Sequence, residues 1–102
     1  MTDEDDYTTG VVLQSNTAKK WYVGCVAKID TGSKRTSIDS KLCNFLRLEQ
    51  VTNAMGSQRR KLVWLTIYWN KQVHCLKVSV VNREHLSTPM ILGQDVLTEQ
   101  GA

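Results

Sequence analysis

The chain has 102 residues, of which 41% are hydrophobic and 23% are charged, and its formal net charge is +3. This length supports one domain with a modest core, and the ordinary composition excludes a disordered or low-complexity chain. No apolar run approaches the ~20 residues of a membrane span, and the acidic start does not fit a signal peptide. We therefore expect a cytoplasmic protein without a membrane partner.

The charge is unevenly distributed along the chain. Residues 3–6 form an acidic run, whereas the other 98 residues contain all 13 Lys and Arg but six acidic residues. The cations are dispersed apart from a cluster at residues 59–61, and no aromatic stacking motif accompanies them, so nucleic-acid binding is not expected. We interpret residues 1–9 as a flexible acidic arm and residues 10–102 as a single domain.

Short strands are predicted through the first half of the chain. Residues 11–13 form an apolar triplet, and residues 21–29 are rich in β-branched and aromatic side chains, which favours strands in both places. A third strand is expected around Ser37 and Ile38, followed by a loop over residues 39–44.

Two hairpins are predicted next. Residues 62–69 and 72–81 read as strands on either side of the polar turn Asn70-Lys71. Upstream, residues 51–60 contain a turn at Met55-Gly56-Ser57, which predicts a second hairpin with a small polar tip.

The last segment changes character. Pro89 precedes a short apolar strand, Met90-Ile91-Leu92, which Gly93 ends. Residues 95–100 can then form a short helix with Gly101 as its stop. The whole pattern predicts an all-β domain with one short C-terminal helix.

Metal and cofactor sites are not indicated. Cys25, Cys43 and Cys75 cannot all pair, and their spacing matches no zinc or redox motif, so we expect reduced, buried thiols. His74 lies next to Cys75 on a predicted strand, where neighbouring side chains point to opposite faces and do not easily hold one ion. There is no Gly-rich phosphate-binding loop, and we expect no cofactor.

Asp30 is the most informative residue. It begins the tetrad Asp30-Thr31-Gly32-Ser33, directly after the predicted strand at residues 21–29. A carboxylate on a tight turn can act as a general acid–base group, or it can simply be part of the turn. These residues alone leave both interpretations open.

The combination of motifs resembles the retropepsin-like aspartic proteases. The tetrad at Asp30, the Gly-tipped hairpin and Ile91-Leu92-Gly93 before a terminal helix occur in the order of that family. A narrower likeness is to the bacterial family named ATP-dependent zinc proteases, on Ala27–Gly32 and Pro89–Gly93, although no ATP or zinc motif is visible here. The resemblance covers roughly residues 22–101.

The resemblance implies a closed β-barrel or sandwich with a flap hairpin. Its implied site comprises the catalytic Asp30, Thr31 and Gly32, the flap residues Ala54, Met55, Gly56 and Ser57, and the supporting Ile91, Leu92 and Gly93. One Asp-Thr-Gly per chain implies a homodimer in which two Asp30 carboxylates, about 3 Å apart, share one proton. The implied substrate is an extended peptide or protein segment that lies beneath the flap.

Several residues depart from the retroviral pattern. Ser33 stands where Ala is common, and a hydroxyl that donates to the carboxylate would lower the apparent pKa of the dyad and shift activity toward acid pH. Lys34 and Gln94 replace a frequent acid–Arg pair, and a reversed pair of Lys34 with Asp95 is an alternative. Retroviral members continue into an interface strand after the helix, whereas this sequence ends at Ala102, so we expect weak or conditional dimerisation.

Two functions remain open at this point. The first is a homodimeric aspartic endopeptidase, which the intact Asp30-Thr31-Gly32 motif favours. The second is a retropepsin-like peptide-binding or assembly module that lacks efficient catalysis.

Overall fold

The computed structural model describes residues 7–55 and 61–98, without the side chains of 52–55. Within these ranges the chain forms seven strands and two short helices, which confirms the expected mostly-β class. In chain order they are β1 (Thr8–Gln14), β2 (Tyr22–Ile29), β3 (Ser37–Asp39), α1 (Ser40–Leu46), β4 (Gln50–Met55), β5 (Lys61–Trp69), β6 (Gln72–Val81), β7 (Met90–Leu92) and α2 (Gln94–Leu97).

Six strands close into a barrel. The strand order is β1-β2-β7-β3-β6-β5-β4, and β1 also pairs with β5, with Val12 opposite Tyr68 and Leu13 opposite Ile67. This second pairing closes the barrel and leaves β4 as an additional strand outside β5. The expected closed barrel is therefore confirmed.

The hairpin between β5 and β6 forms at the predicted turn. Asn70 and Lys71 both have positive φ angles, 53° and 64°. This is the two-residue turn whose twist matches that of antiparallel strands, and Asn tolerates its left-handed backbone better than most residues. The second predicted hairpin joins β4 to β5, where Met55 lies opposite Lys61, and its tip lies outside the described residues.

The barrel encloses a single apolar core. Alternate residues of the long strands point inward, because strand side chains alternate between faces. Helix α1 adds Cys43 and Leu46 to the core, and α2 adds Val96. The fully buried apolar residues include Leu13, Ile38, Leu46, Ile67, Met90, Leu92 and Val96. Burial of such side chains is the main stabilising contribution to a domain of this size.

The predicted short C-terminal helix is present as α2, but helix α1 was not expected, and the prediction of a loop over residues 39–44 was wrong. Asp39 caps the helix by accepting a hydrogen bond from the Lys41 amide (3.0 Å). Arg47 ends it in the left-handed conformation, with φ of 57°. Cys43 and Leu46 are buried. The helix is therefore stabilised both by its caps and by the burial of its apolar side chains.

Two smaller expectations also need correction. Thr8 and Thr9 belong to β1, where Thr8 lies opposite Lys28, so the predicted arm is too long by at least these two residues. Helix α2 begins one residue earlier than predicted, at Gln94, because Gly93 serves as its N-cap. The predicted end of this helix beyond Thr98 lies outside the described residues.

The cysteines differ in exposure. Cys43 is buried and Cys25 is half-buried, but Cys75 is exposed, so the expectation of three buried thiols was wrong for Cys75. Cys75 lies on the outer face of β6 because its neighbour His74 occupies the inner face. In residues 7–55 and 61–98, no helix has the length and apolarity required to cross a bilayer.

Candidate active site

Asp30 lies at the end of β2, on a turn held by its own backbone. The Asp30 amide donates to the Leu92 carbonyl (3.0 Å), which extends the β2–β7 pairing by one residue. The Asp30 Oδ1 atom accepts from the Gly32 amide (3.0 Å), and the Ser33 amide donates to the Asp30 carbonyl (3.1 Å). An Asp side chain that bonds the amide two residues on is a common device for fixing a tight turn.

The first turn of α2 rests on this loop. The Gln94 amide donates to the Ser33 carbonyl (2.8 Å), and the Asp95 amide donates to the Lys34 carbonyl (3.2 Å). The Gln94 side chain also donates to the Thr31 carbonyl (2.7 Å). Amides at a helix start lack partners within the helix, so the loop and the helix satisfy each other. The structure thus brings the two sequence motifs together.

Gly93 is required where the loop and the helix meet. A Cβ atom at this position would lie 2.7 Å from the Arg35 carbonyl carbon and 2.9 Å from the Ser33 oxygen. Both contacts are with backbone atoms, which cannot rotate away. Gly93 has an ordinary φ of −97°, so the requirement is one of space and not of conformation.

Thr36 is a site residue that sequence reasoning missed. It is fully buried, its hydroxyl donates to Asp95 Oδ1 (2.6 Å), and the same hydroxyl accepts from the Gly93 amide (3.0 Å). The Thr36 amide donates to both Asp95 oxygens, at 3.1 and 3.0 Å. The alternative pairing of Asp95 with Lys34 is therefore corrected: Lys34 is exposed, and Asp95 binds Thr36. The sequence feature that could have indicated this contact is Asp95, an acidic residue in the first turn of the terminal helix.

Ser33 also differs from expectation. Its hydroxyl donates to the Arg35 carbonyl (3.0 Å), and a hydroxyl has one proton. In this structure the Ser33 hydroxyl therefore does not donate to Asp30, and the Asp30 carboxylate accepts a hydrogen bond from the Gly32 amide instead. A role of Ser33 in tuning the dyad stays a prediction that requires the hydroxyl to rotate.

An open cleft of about 360 Å³ lies beside Asp30. Its walls are Tyr7, Lys28, Ile29, Asp30 and Thr31. The Ile29 amide donates to the Tyr7 carbonyl (2.8 Å), which fixes the start of the described chain against the site. Asp30 is half-buried and Thr31 and Gly32 are exposed, so a ligand in the cleft can reach the carboxylate.

The flap residues are described in part. The backbone of Ala54 and Met55 forms the end of β4, whereas their side chains, together with Gly56 and Ser57, lie outside the described residues. Their predicted role as a flap is not tested.

The charges behind the loop involve a buried arginine. The Arg83 guanidinium donates to the Thr88 carbonyl (2.8 Å) and hydroxyl (3.1 Å), and its amide donates to Asp39 Oδ1 (2.7 Å). Burial lowers the pKa of Arg83, whereas the charges of Asp39 and Asp30 oppose this shift. Asp30 itself forms no ion pair with any residue in the described ranges. These ranges also lack a group of three His, Cys, Asp or Glu side chains placed to hold a metal ion.

Solved structures with a similar fold include retropepsin-like aspartic proteases. EIAV protease, solved in complex with the inhibitor HBY-793, superposes with a TM-score of 0.64 at 24% identity, over 97% of this chain and 91% of that one. The chain has a retropepsin-like fold. A retropepsin-like aspartic protease from Rickettsia conorii matches at 14% identity and a TM-score of 0.59, over 97% and 86% of the two chains.

A third retropepsin-like neighbour is the retroviral protease-like domain of Ddi1 from Leishmania major. It matches at 14% identity and a TM-score of 0.54, over 89% of this chain and 74% of that domain. No protein-family model and no curated protein matches the sequence. Similarity at these identities shows a shared retropepsin-like fold.

Proposed function

We propose that the chain is an aspartic endopeptidase whose catalytic centre forms when the Asp30 residues of two copies meet. One observation carries the proposal: a reachable carboxylate is fixed by backbone hydrogen bonds at the edge of an open cleft, in a retropepsin-like fold. The carboxylate accepts one hydrogen bond and has no ionic partner among the described residues, so it is available for chemistry.

The proposed reaction is acid–base hydrolysis. Two facing carboxylates cannot both ionise, so they share one proton. The ionised member accepts a proton from the attacking water while the protonated member donates to the oxygen of the scissile carbonyl. Gly32 lets the substrate backbone approach the carboxylates, and the Thr31 hydroxyl bonds across the two loops of the dimer.

The dimer follows from the need for a second carboxylate. Among the described residues, Asp30 is the Asp that lines the cleft. Asp39 and Asp95 do not supply the second carboxylate, because Asp39 accepts from the Arg83 amide and Asp95 accepts from Thr36. A two-fold symmetric pair presents the same residue from both copies. The substrate is then a peptide segment that lies extended across both clefts. We also propose that the chain is related to the bacterial family named ATP-dependent zinc proteases, because the segments Ala27–Gly32 and Pro89–Gly93 resemble motifs of that family.

Replacement of Asp30 tests the reaction. The purified chain is incubated with a mixture of denatured proteins, and new peptide termini are identified by mass spectrometry. Asp30→Asn keeps the size and the turn-forming oxygen but cannot act as the base, so cleavage should fall by about 10²–10⁴-fold. The matched control is Glu84→Gln, an acid-to-amide change at an exposed residue that pairs with Lys41.

Two results would contradict the proposal. Cleavage that survives Asp30→Asn would place the active carboxylate elsewhere. Activity that rises only linearly with protein concentration, while sedimentation shows a monomer–dimer equilibrium, would contradict the shared site. Peptide binding without cleavage at any pH would instead support the binding-module interpretation.

A further inference from the structure

One half-buried cation lines the Asp30 cleft, and two exposed cations lie on the loop that carries Asp30. Lys28 forms part of its wall, and Lys34 and Arg35 are exposed on the loop that carries Asp30. Lys77 is exposed farther along, on β6, with its ammonium 5.7 Å from the centre of the Trp64 ring. Arg35 and Lys77 come from the Asp30 loop and from β6, so the fold and not a sequence run brings these two residues together.

Arg35 has the most defined position of the four. Its Nη1 atom donates to the Lys77 carbonyl at 3.5 Å, which is a long bond and places the guanidinium alongside β6. Its carbonyl is fixed by the Ser33 hydroxyl (3.0 Å). A guanidinium has five N–H donors in a rigid fork that matches a carboxylate. One long bond leaves most of these donors to a ligand.

No acidic side chain in the described ranges forms an ion pair with the cations of this loop. Glu84 pairs with Lys41 at 3.4 Å, and the Asp95 carboxylate is taken by Thr36. Neither Lys34 nor Arg35 forms an ion pair with a described residue. The loop therefore adds two exposed positive charges beside a dyad that would carry one negative charge.

We propose that Arg35, with Lys34 beside it, makes this site selective for peptides that carry Asp or Glu near the scissile bond. The proposal rests on the proposed endopeptidase function and names its substrate class. Five residues span at most about 17 Å when extended, and the loop is turned, so Arg35 acts within roughly five peptide residues of Asp30. Arg35 is thus a specificity residue, and its partner is a substrate carboxylate bound by two parallel N–H···O bonds.

Paired peptides test the selectivity. Each pair shares a cleavable core and differs by Glu or Gln at one flanking position, because Gln matches Glu in size but lacks the charge. For the flanking position with the strongest effect, the wild-type chain should cleave the Glu peptide with a kcat/KM about fivefold higher than that of its Gln partner. This is the factor expected for ~1 kcal/mol of charge-assisted bonding. This ratio should fall in high salt, since exposed charges are screened.

Variants assign the effect to Arg35. Arg35→Glu should bring the Glu/Gln ratio to one or below, whereas Arg35→Lys should keep part of it. The comparison uses the ratio within each variant, so that any effect of the new charge on the dyad cancels. Lys19→Glu is the matched control, because Lys19 is exposed beyond the opposite end of β2 and should leave the ratio unchanged.

The outcomes separate this proposal from the proposed function. Equal cleavage of both peptides by the wild type, or a preference that survives Arg35→Glu, overturns the selectivity and leaves the endopeptidase intact. If neither peptide is cleaved, fluorescence anisotropy measures their binding to the Asp30→Asn chain. A Glu preference that Arg35→Glu abolishes there supports the selectivity although proteolysis has failed, and equal binding overturns it.

Discussion

Thr36 and Asp95 bind each other through three hydrogen bonds, although 59 positions separate them in the sequence. The Thr36 hydroxyl donates to Asp95 and accepts from the Gly93 amide, so one buried atom joins the Asp30 loop to the N-cap and the first turn of α2. The orientation of Asp30 therefore depends on residues that do not line its cleft.

Asp95→Ala should destabilise the chain by about 2–4 kcal/mol. The change leaves the amide and hydroxyl of a fully buried Thr36 without their acceptor, and an unsatisfied buried donor costs more than a lost exposed bond. Urea denaturation at pH 7 measures the loss. Lys34→Ala is the control, and it should stay within ~0.5 kcal/mol of the parent because Lys34 is exposed. An equal loss in both variants would show that Lys34 supports Asp95 after all.

Gly93→Ala should separate the loop from the helix. The added methyl would overlap the backbone of Arg35 and Ser33, and such overpacking typically costs about 1–3 kcal/mol. Gly10→Ala is the matched control, since a Cβ there meets no atom within 4 Å. Thermal unfolding of both variants checks the comparison, and an unchanged Gly93→Ala midpoint would refute the close approach.

Asp39 should make stability depend on pH in the acid range. Burial alone would raise the pKa of Asp39, but backbone hydrogen bonds from Arg83, Lys41 and Leu42 lower it overall. A lowered pKa in the folded state means that this stabilisation is complete above the unfolded value of about 3.9 and is lost as pH falls through the folded value.

Two variants separate the charge from the helix cap. Asp39→Ala should cost about 2–3 kcal/mol at pH 7, because it removes the N-cap and the acceptor of the Arg83 amide. Asp39→Asn keeps a capping oxygen without the charge, so its urea midpoint should fall less between pH 7 and pH 3 than that of the parent. An identical fall in the parent and in Asp39→Asn would contradict the assigned role.

The thiols should react at different rates. Burial raises the pKa of Cys25 to about 11, so at pH 8 roughly one thousandth of it is thiolate, the reactive form. Cys75 is exposed and should account for the fast reaction with Ellman's reagent. Cys75→Ser should remove that fast phase, whereas Cys25→Ala should leave it. A fast phase that persists in Cys75→Ser would show that another thiol opens to solvent.

Local features of the fold were predictable from the sequence, and distant pairings were not. The β5–β6 hairpin follows from two β-rich runs around Asn70-Lys71, since a two-residue turn sets its own register. Helix α1 was also within reach, because Asp39 is a good N-cap and Leu42, Cys43 and Leu46 share a helical face. The short apolar segment around Ile38 concealed it by favouring a strand, and that strand does exist as β3.

The candidate site was predictable only as two separate motifs. Asp30–Gly32 and Ile91–Gly93 are recognisable as residues, and the structure places them side by side. The partner of Asp95 was not predictable, because Thr36 is one polar residue among many until the loop turns it inward. The same limit applies to Ser33, whose hydroxyl has several acceptors within reach, and only the loop geometry selects the Arg35 carbonyl.

The position of β7 has a consequence for biosynthesis. This strand lies between β2 and β3, although it is made about fifty residues after β3. During synthesis, the edges of β2 and β3 that pair with β7 therefore stay unpaired until β7 has been made, and such distant pairing slows folding. Asp30 obtains its Leu92 partner only when residues 90–95 emerge. A nascent chain thus carries Asp30 through the synthesis of about sixty further residues before the strand that holds its turn exists.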